Sequence, residues 1–199
     1  MKQTKIIENY LLCYKKNMED NFGTTESEWQ QVKQYVEVLR VPKNNFFVKQ
    51  GKVCRYMAFI AEGVMRYCTF REDGEDITCY FLSENDFVGD PDSFAKQKPS
   101  LLNAQALTDC VLVGFSFENL MKLLHEMPRA TQVGNEISIK VSMSLSDQKT
   151  FMIGKDATFK YREFMKRYPH ILQRVPLSYI ASYLGIKQQS LSRLRKQIF

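Results

Sequence analysis

Residues 176–198, Pro-Leu-Ser-Tyr-Ile-Ala-Ser-Tyr-Leu-Gly-Ile-Lys-Gln-Gln-Ser-Leu-Ser-Arg-Leu-Arg-Lys-Gln-Ile, hold the side chains whose types and spacing carry the clearest chemistry. Gln188, Gln189 and Arg193 are of the kinds that bond base edges in a major groove, and Lys187, Ser190, Arg195, Lys196 and Arg174 are of the kinds that bind phosphate. Such residues need two short helices to position them. Leu177, Ile180, Ala181 and Leu184 recur at i, i+3, i+4 and i+7, with Pro176 at a first-turn position. Gly185 supplies the positive-φ residue that stops this helix. Beyond Ile186, which looks buried, Leu191, Leu194 and Ile198 share a face of a second helix, so both helices can close on one small core. Gln189, Arg193 and Lys196 stand opposite, flanked by Gln188 and Ser192. The plainer reading is a helical hairpin with a solvated charged face.

Charge separates the two readings. Residues 151–199 carry ten lysines and arginines against Asp156 and Glu163, a local net charge of +8, whereas residues 1–116 sum to −2 and residues 117–150 to zero. The whole formal charge of +6 therefore comes from the last quarter of the chain. This is the electrostatic footprint of a DNA-binding module, which gains affinity through counterion release. A membrane-surface helix would show a broader apolar stripe. No apolar run approaches the roughly 18 to 20 residues of a membrane span, and the N-terminus lacks the apolar core of a signal peptide, so a cytoplasmic protein without membrane partners is expected. Cys13, Cys54, Cys68, Cys79 and Cys110 are odd in number and irregularly spaced, which argues for reduced thiols rather than disulfides or a zinc site.

The elements fall into three parts: residues 1–116, 117–150 and 151–199. The first 36 residues look helical, with a capping box at Thr25 and Glu28 ahead of Trp29, Val32 and Val36. From about 38 to 116 the period changes to short strands, Met57–Ala61, Val64–Phe70, Ile77–Leu82, Leu101–Leu107 and Val111–Phe115, broken at Gly63 and Asp73-Gly74. Strands of this length and spacing predict an antiparallel barrel or sandwich. Phe117–Met127 reads as a short helix ending before Pro128. Val133, Ile137, Val141 and Leu145 then repeat every four residues on a longer helix. This stripe either lies on its own barrel or pairs with a second copy, and pairing is preferred because a small barrel leaves little for a protruding helix to bury against.

The order of helices, jelly-roll barrel, long helix and helix-turn-helix resembles the bacterial Crp/Fnr transcription regulators over nearly the whole chain. Phe59-Ile-Ala-Glu-Gly63-Val-Met-Arg66 is similar to that family's barrel hairpin. Glu84-Asn-Asp-Phe87-Val-Gly89-Asp90 stands where its phosphate-binding cassette begins, and Ile180-Ala-Ser-Tyr-Leu-Gly185-Ile with Leu191-Ser-Arg193 matches its helix-turn-helix. The resemblance implies an α+β protein: an N-terminal double-stranded β-helix (jelly-roll) barrel that senses a ligand, a long dimerisation helix through Val133, Ile137, Val141 and Leu145, and a C-terminal helix-turn-helix. It implies a homodimer on a twofold-related operator in double-stranded DNA, with RNA polymerase as a further candidate partner and no enzymatic activity.

Departures from the family pattern bear on the effector. Cyclic-nucleotide binders of this fold use a cassette glutamate for the ribose hydroxyl and an arginine about ten residues later for the cyclic phosphate. Here those positions fall at Asp90 and about Ser100. Without a guanidinium, a buried phosphate lacks its bidentate partner, and Lys98 offers only a point charge. Gly89, Asp90, Ser93, Lys98 and Ser100 are the candidate effector-pocket residues, and cyclic AMP is disfavoured. The simpler role of Asp90 and Asp92 is to cap a loop. No cofactor is expected, and a small-molecule effector, if one exists, has no identity in the sequence. An iron–sulfur cluster would need clustered thiolates, haem would need an axial ligand beyond His125 and His170, and a barrel metalloenzyme would draw histidines from its strands. No catalytic or metal-binding residue is assigned. The chain ends shortly after the second helix, so the family's frequent C-terminal wing is expected to be missing. The alternative reading is a ligand sensor that acts through protein contacts.

Overall fold

The structure is a computed structural model that describes residues 2–198, with side-chain surroundings from residue 5 to residue 197. Helices α1 (Lys2–Phe22) and α2 (Glu26–Val32) open the chain, and α2 starts at the expected box: the Thr25 side chain accepts from the Glu28 amide while the Glu28 carboxylate accepts from the Thr25 amide. Strands β1 (Glu37–Val41), β2 (Phe46–Val48), β3 (Tyr56–Glu62), β4 (Met65–Phe70), β5 (Asp76–Leu82), β6 (Phe87–Val88), β7 (Asn103–Ala106) and β8 (Cys110–Ser116) follow, with α3 (Pro91–Lys96) between β6 and β7. They form two four-stranded antiparallel sheets, β1-β8-β3-β6 and β2-β7-β4-β5, closed face to face as a jelly roll. Helices α4 (Phe117–Glu126) and α5 (Pro128–Thr150) lead out of the barrel. A bundle of α6 (Ala157–Arg167), α7 (Pro169–Leu172), α8 (Leu177–Leu184) and α9 (Gln188–Ile198) ends the chain.

Three cores explain why the strands are apolar on both faces. Ala58, Ile60, Met65, Leu82, Val88, Ala104 and Leu112 point between the sheets. Phe59 and Val113, their neighbours on the opposite face, are covered by Tyr14 and Met18 of α1, Trp29 of α2, Leu123 of α4, and Ala130 and Val133 of α5. A strand covered on both sides loses its alternation, which is why β3 reads Met-Ala-Phe-Ile-Ala. The third core joins Val64, Phe81 and Leu107 of the barrel to Tyr161, Phe164, Ile171, Ile180, Tyr183, Leu184 and Leu191 of the last bundle.

The long helix corrects one expectation. Val133 is buried against α1 and α2, Ile137 packs beside it in that core, and Leu145 lies against the barrel. Val141, on the same side, is half-buried. The stripe proposed as a dimer interface is therefore turned toward its own chain. The N-terminal helices, whose apolar faces need cover, supply the surface that a bare barrel would not. On the other side of α5, Ile139 and Met143 are 61% and 68% exposed among serines 138, 142 and 146.

Candidate functional site

The C-terminal helical head forms as the glycine spacing requires. Helix α8 runs from Leu177, with Pro176 at its N-cap rather than inside its first turn. Gly185 adopts φ 67°, and the Gly185 and Ile186 amides donate to the Ser182 and Ala181 carbonyls, a left-handed stop that turns the chain into α9. Ile180, Leu184 and Leu191 are buried where the two helices meet, with Leu194 half-buried beside them. The Ile198 side chain lies outside the described residues. Lys187, Gln188, Gln189, Ser190, Arg193, Arg195 and Lys196 all face solvent. Arg174 does not stand with them. Its guanidinium forms a two-pronged pair with Glu84 of the barrel at 2.7 and 2.8 Å, which engages the group expected to bind phosphate.

That pair is one of several ties between head and barrel. The Glu84 carboxylate also accepts from the Gly63 amide at 2.8 Å. Burial pushes the Glu84 carboxyl up, but the Arg174 fork and the backbone donors outweigh it and hold the group at about 2. Ser182 of α8 donates from its hydroxyl to the Asp76 carbonyl and accepts from the Thr78 amide, so the helix is bonded to the edge of β5. Arg66, 1% exposed, donates to Asp76, Thr78 and Gln105 and lies 3.8 Å beneath the ring of Tyr179 on α8. Ser83 bonds His170 at 3.1 Å. The Tyr183 hydroxyl donates to the Gln148 carbonyl at the end of α5, while the Gln148 amide donates to Phe81. None of these ties was read from the sequence. The available signal was Arg66 itself, a lone cation inside an apolar strand.

The cassette is built from α3 and the turns around it. Asp90 caps α3 by accepting from the Ser93 amide at 3.1 Å, and its other oxygen accepts from the Ser100 hydroxyl at 2.6 Å. The two positions that would face ribose and phosphate are thus bonded to each other. The Ser93 hydroxyl accepts from the Cys54 amide and donates to the Lys98 carbonyl. The Lys98 side chain turns outward to pair with Asp92 at 2.7 Å. Gly89 sits at φ 154° where a Cβ would strike Met57, and the Tyr67 hydroxyl from inside the barrel donates to its carbonyl at 2.7 Å and accepts from its amide at 3.1 Å. The structure brings Gly89, Asp90, Ser93 and Ser100 together and leaves the Lys98 ammonium apart. Among the described residues there is no cluster of three histidines, cysteines or carboxylates that would hold a metal ion, and no helix is long and apolar enough to cross a membrane.

The architecture is a jelly roll fastened through a long helix to a helix-turn-helix. Residues 38–127 match the cyclic nucleotide-binding domain family. The chain has the fold of the Crp/Fnr transcription regulators, as the sequence resemblance implied. It is similar to FixK2 from Bradyrhizobium japonicum at 15% identity, with 82% of this chain and 84% of that chain covered and a TM-score of 0.70. It is also similar to the c-di-GMP responsive global regulator CLP of Xanthomonas campestris (16% identity, 85% and 89% covered, TM-score 0.64). A third likeness is to the Thermus thermophilus catabolite activator protein (16%, 89% and 84%, 0.53). No curated protein sequence matches it.

Proposed function

We propose that this protein is a sequence-specific DNA-binding transcription regulator of the Crp/Fnr type, acting as a homodimer on a twofold-related operator and not responding to cyclic AMP. The observation that carries the reading is α9: Gln188, Gln189 and Arg193 lie on its solvent side over a buried Leu191, within residues 151–199, the segment that holds the chain's whole positive excess. Arg193 suits guanine O6/N7 and a glutamine suits adenine, while Lys187, Ser190, Arg195 and Lys196 serve the phosphates. Two heads reach two half-sites when α5 pairs with its copy. The exposed Ile139 and Met143, four residues apart among small serines, form the self-complementary face such a pair needs. The closed cassette, with Asp90 bonded to Ser100, supports a regulator that takes no cyclic nucleotide.

Anisotropy titrations on a selected operator test this. Arg193→Ala flattens specificity at one base position per half-site, a loss of about 1–3 kcal/mol of discrimination. Lys196→Ala weakens all sequences alike and lowers the salt slope by roughly one unit. Unchanged operator affinity in both variants would remove α9 as the reader and leave the protein-contact reading.

A further inference from the structure

The buried Arg66 guanidinium finds partners on the barrel for all five of its N–H groups. Its end-on pair meets the Asp76 carboxylate, its side-on pair converges on the Gln105 oxygen, and the remaining N–H reaches the Thr78 hydroxyl at 2.8 Å. Gln105 is itself held, because its amide donates to the Asn44 carbonyl at 3.1 Å. The barrel thus builds a flat plate that needs nothing from the head, and what the plate still offers is a face. Tyr179 of α8 lies on that face, 3.8 Å from ring centroid to guanidinium carbon. Three residues on, Ser182 meets the outer edge of β5, the last strand of its sheet. Its hydroxyl donates to the Asp76 carbonyl at 3.0 Å and accepts from the Thr78 amide at 2.9 Å. Asp76 and Thr78 therefore hold the plate with their side chains and α8 with their backbone.

The other polar contacts between barrel and head, Ser83 with His170 and Glu84 with Arg174, cluster just past the opposite end of β5. The aromatic core beneath the head is non-directional and leaves it free to turn about that end. A stacked plane and two edge hydrogen bonds at the start of β5 remove this freedom. We propose that the Arg66 plate is the positioning element of the DNA-reading head: by seating Tyr179 and Ser182 it fixes the angle at which α9 is presented, and with it the half-site spacing that a dimer accepts. This inference rests on the regulator reading above and adds what selects the operator's geometry.

A positioning role changes spacing preference, which a simple loss of stability leaves alone. One added base pair moves a half-site by about 3.4 Å along the duplex and about a tenth of a turn around it. In the full chain, native-state hydrogen exchange follows the Thr78 amide, which Ser182 covers. Anisotropy compares an operator selected from random duplexes with the same operator lengthened by one central base pair, and with a single half-site. The wild type is expected to lose about tenfold or more on lengthening. Tyr179→Ala should speed exchange at Thr78, cut that loss to about twofold and leave single half-site affinity unchanged. Tyr179→Phe keeps the stacked ring and should match the wild type, whereas Arg66→Lys keeps the charge, loses the plane and should follow Tyr179→Ala. The proposal is overturned if Tyr179→Ala retains the wild-type spacing preference, if its Thr78 amide stays protected, or if its single half-site affinity falls equally. A wild type that binds no duplex would overturn the regulator reading and this inference together, whereas a retained spacing preference overturns this inference alone.

Discussion

Asp90 and Ser100 decide what the cassette does, and they do so by satisfying each other. The Asp90 carboxylate caps α3 with one oxygen and accepts the buried Ser100 hydroxyl with the other, so both oxygens and the serine already have partners. Tyr67 completes the closure by meeting both backbone groups of Gly89. Millimolar cyclic AMP or cyclic GMP is accordingly expected to leave the melting temperature unchanged, whereas a ligand at 100 times its dissociation constant would add about 2.7 kcal/mol. Tyr67→Phe strands a buried amide and carbonyl and should cost about 1–3 kcal/mol in urea unfolding. A rise of several degrees with either nucleotide would reopen the cassette. At this scale the capping role of Asp90 was legible, because Asp-Pro-Asp-Ser is a turn and cap signal. Arg66 was not, since its partners Asp76, Gln105 and Tyr179 come from two other strands and a helix more than a hundred residues away.

Helix α5 shows what periodicity delivers and what it leaves open. The four-residue repeat of Val133, Ile137, Val141 and Leu145 marks a helix with a buried face, but nothing in a repeat says what buries it. Here the answer is the chain's own N-terminal helices and barrel, leaving Ile139 and Met143 outside. The two faces should respond differently to charge. Ile139→Asp is expected to give a folded monomer with weakened operator binding, because a lone half-site loses the gain of the second. Val133→Asp should destabilise the monomer itself by several kcal/mol. Light scattering with circular dichroism separates them, and a wild-type monomer at micromolar concentration would remove the premise. Helix α8, expected as the first helix of the helix-turn-helix, is also the clamp that holds the head to β5. The Glu84–Arg174 pair beside it carries a pH signature. Glu84 titrates at about 2 in the folded protein against roughly 4.3 in an unfolded chain. Its contribution is therefore complete above about pH 4.3 and is lost as the pH falls toward 2. Asp86 nearby, whose carboxyl is raised by burial, works in the opposite direction. Melting curves between pH 6 and pH 3 should thus fall less steeply in Glu84→Gln than in the wild type, and parallel curves would show that the pair adds nothing.

For the molecule as a whole, charge is the most legible property: the basic last quarter of the sequence suits a polyanionic partner. The joining of the parts was illegible, because it depends on tertiary contacts among aromatic residues that the sequence scatters. Phe81 of the barrel stacks with Phe164 and Tyr183 of the head at centroid distances of 5.8 and 5.2 Å, and Val64 and Leu107 close the same core. The covalent link from α5 to the head is a short turn through Ile153, Gly154 and Lys155, all exposed. Chain continuity there is thus not what holds the head in place. A single tryptic cut after Lys155 should leave two fragments that elute together from a sizing column and still retard DNA, parting only in denaturant. Fragments that separate on the column in native buffer would show that the peptide bond, and not the aromatic core, keeps the protein in one piece.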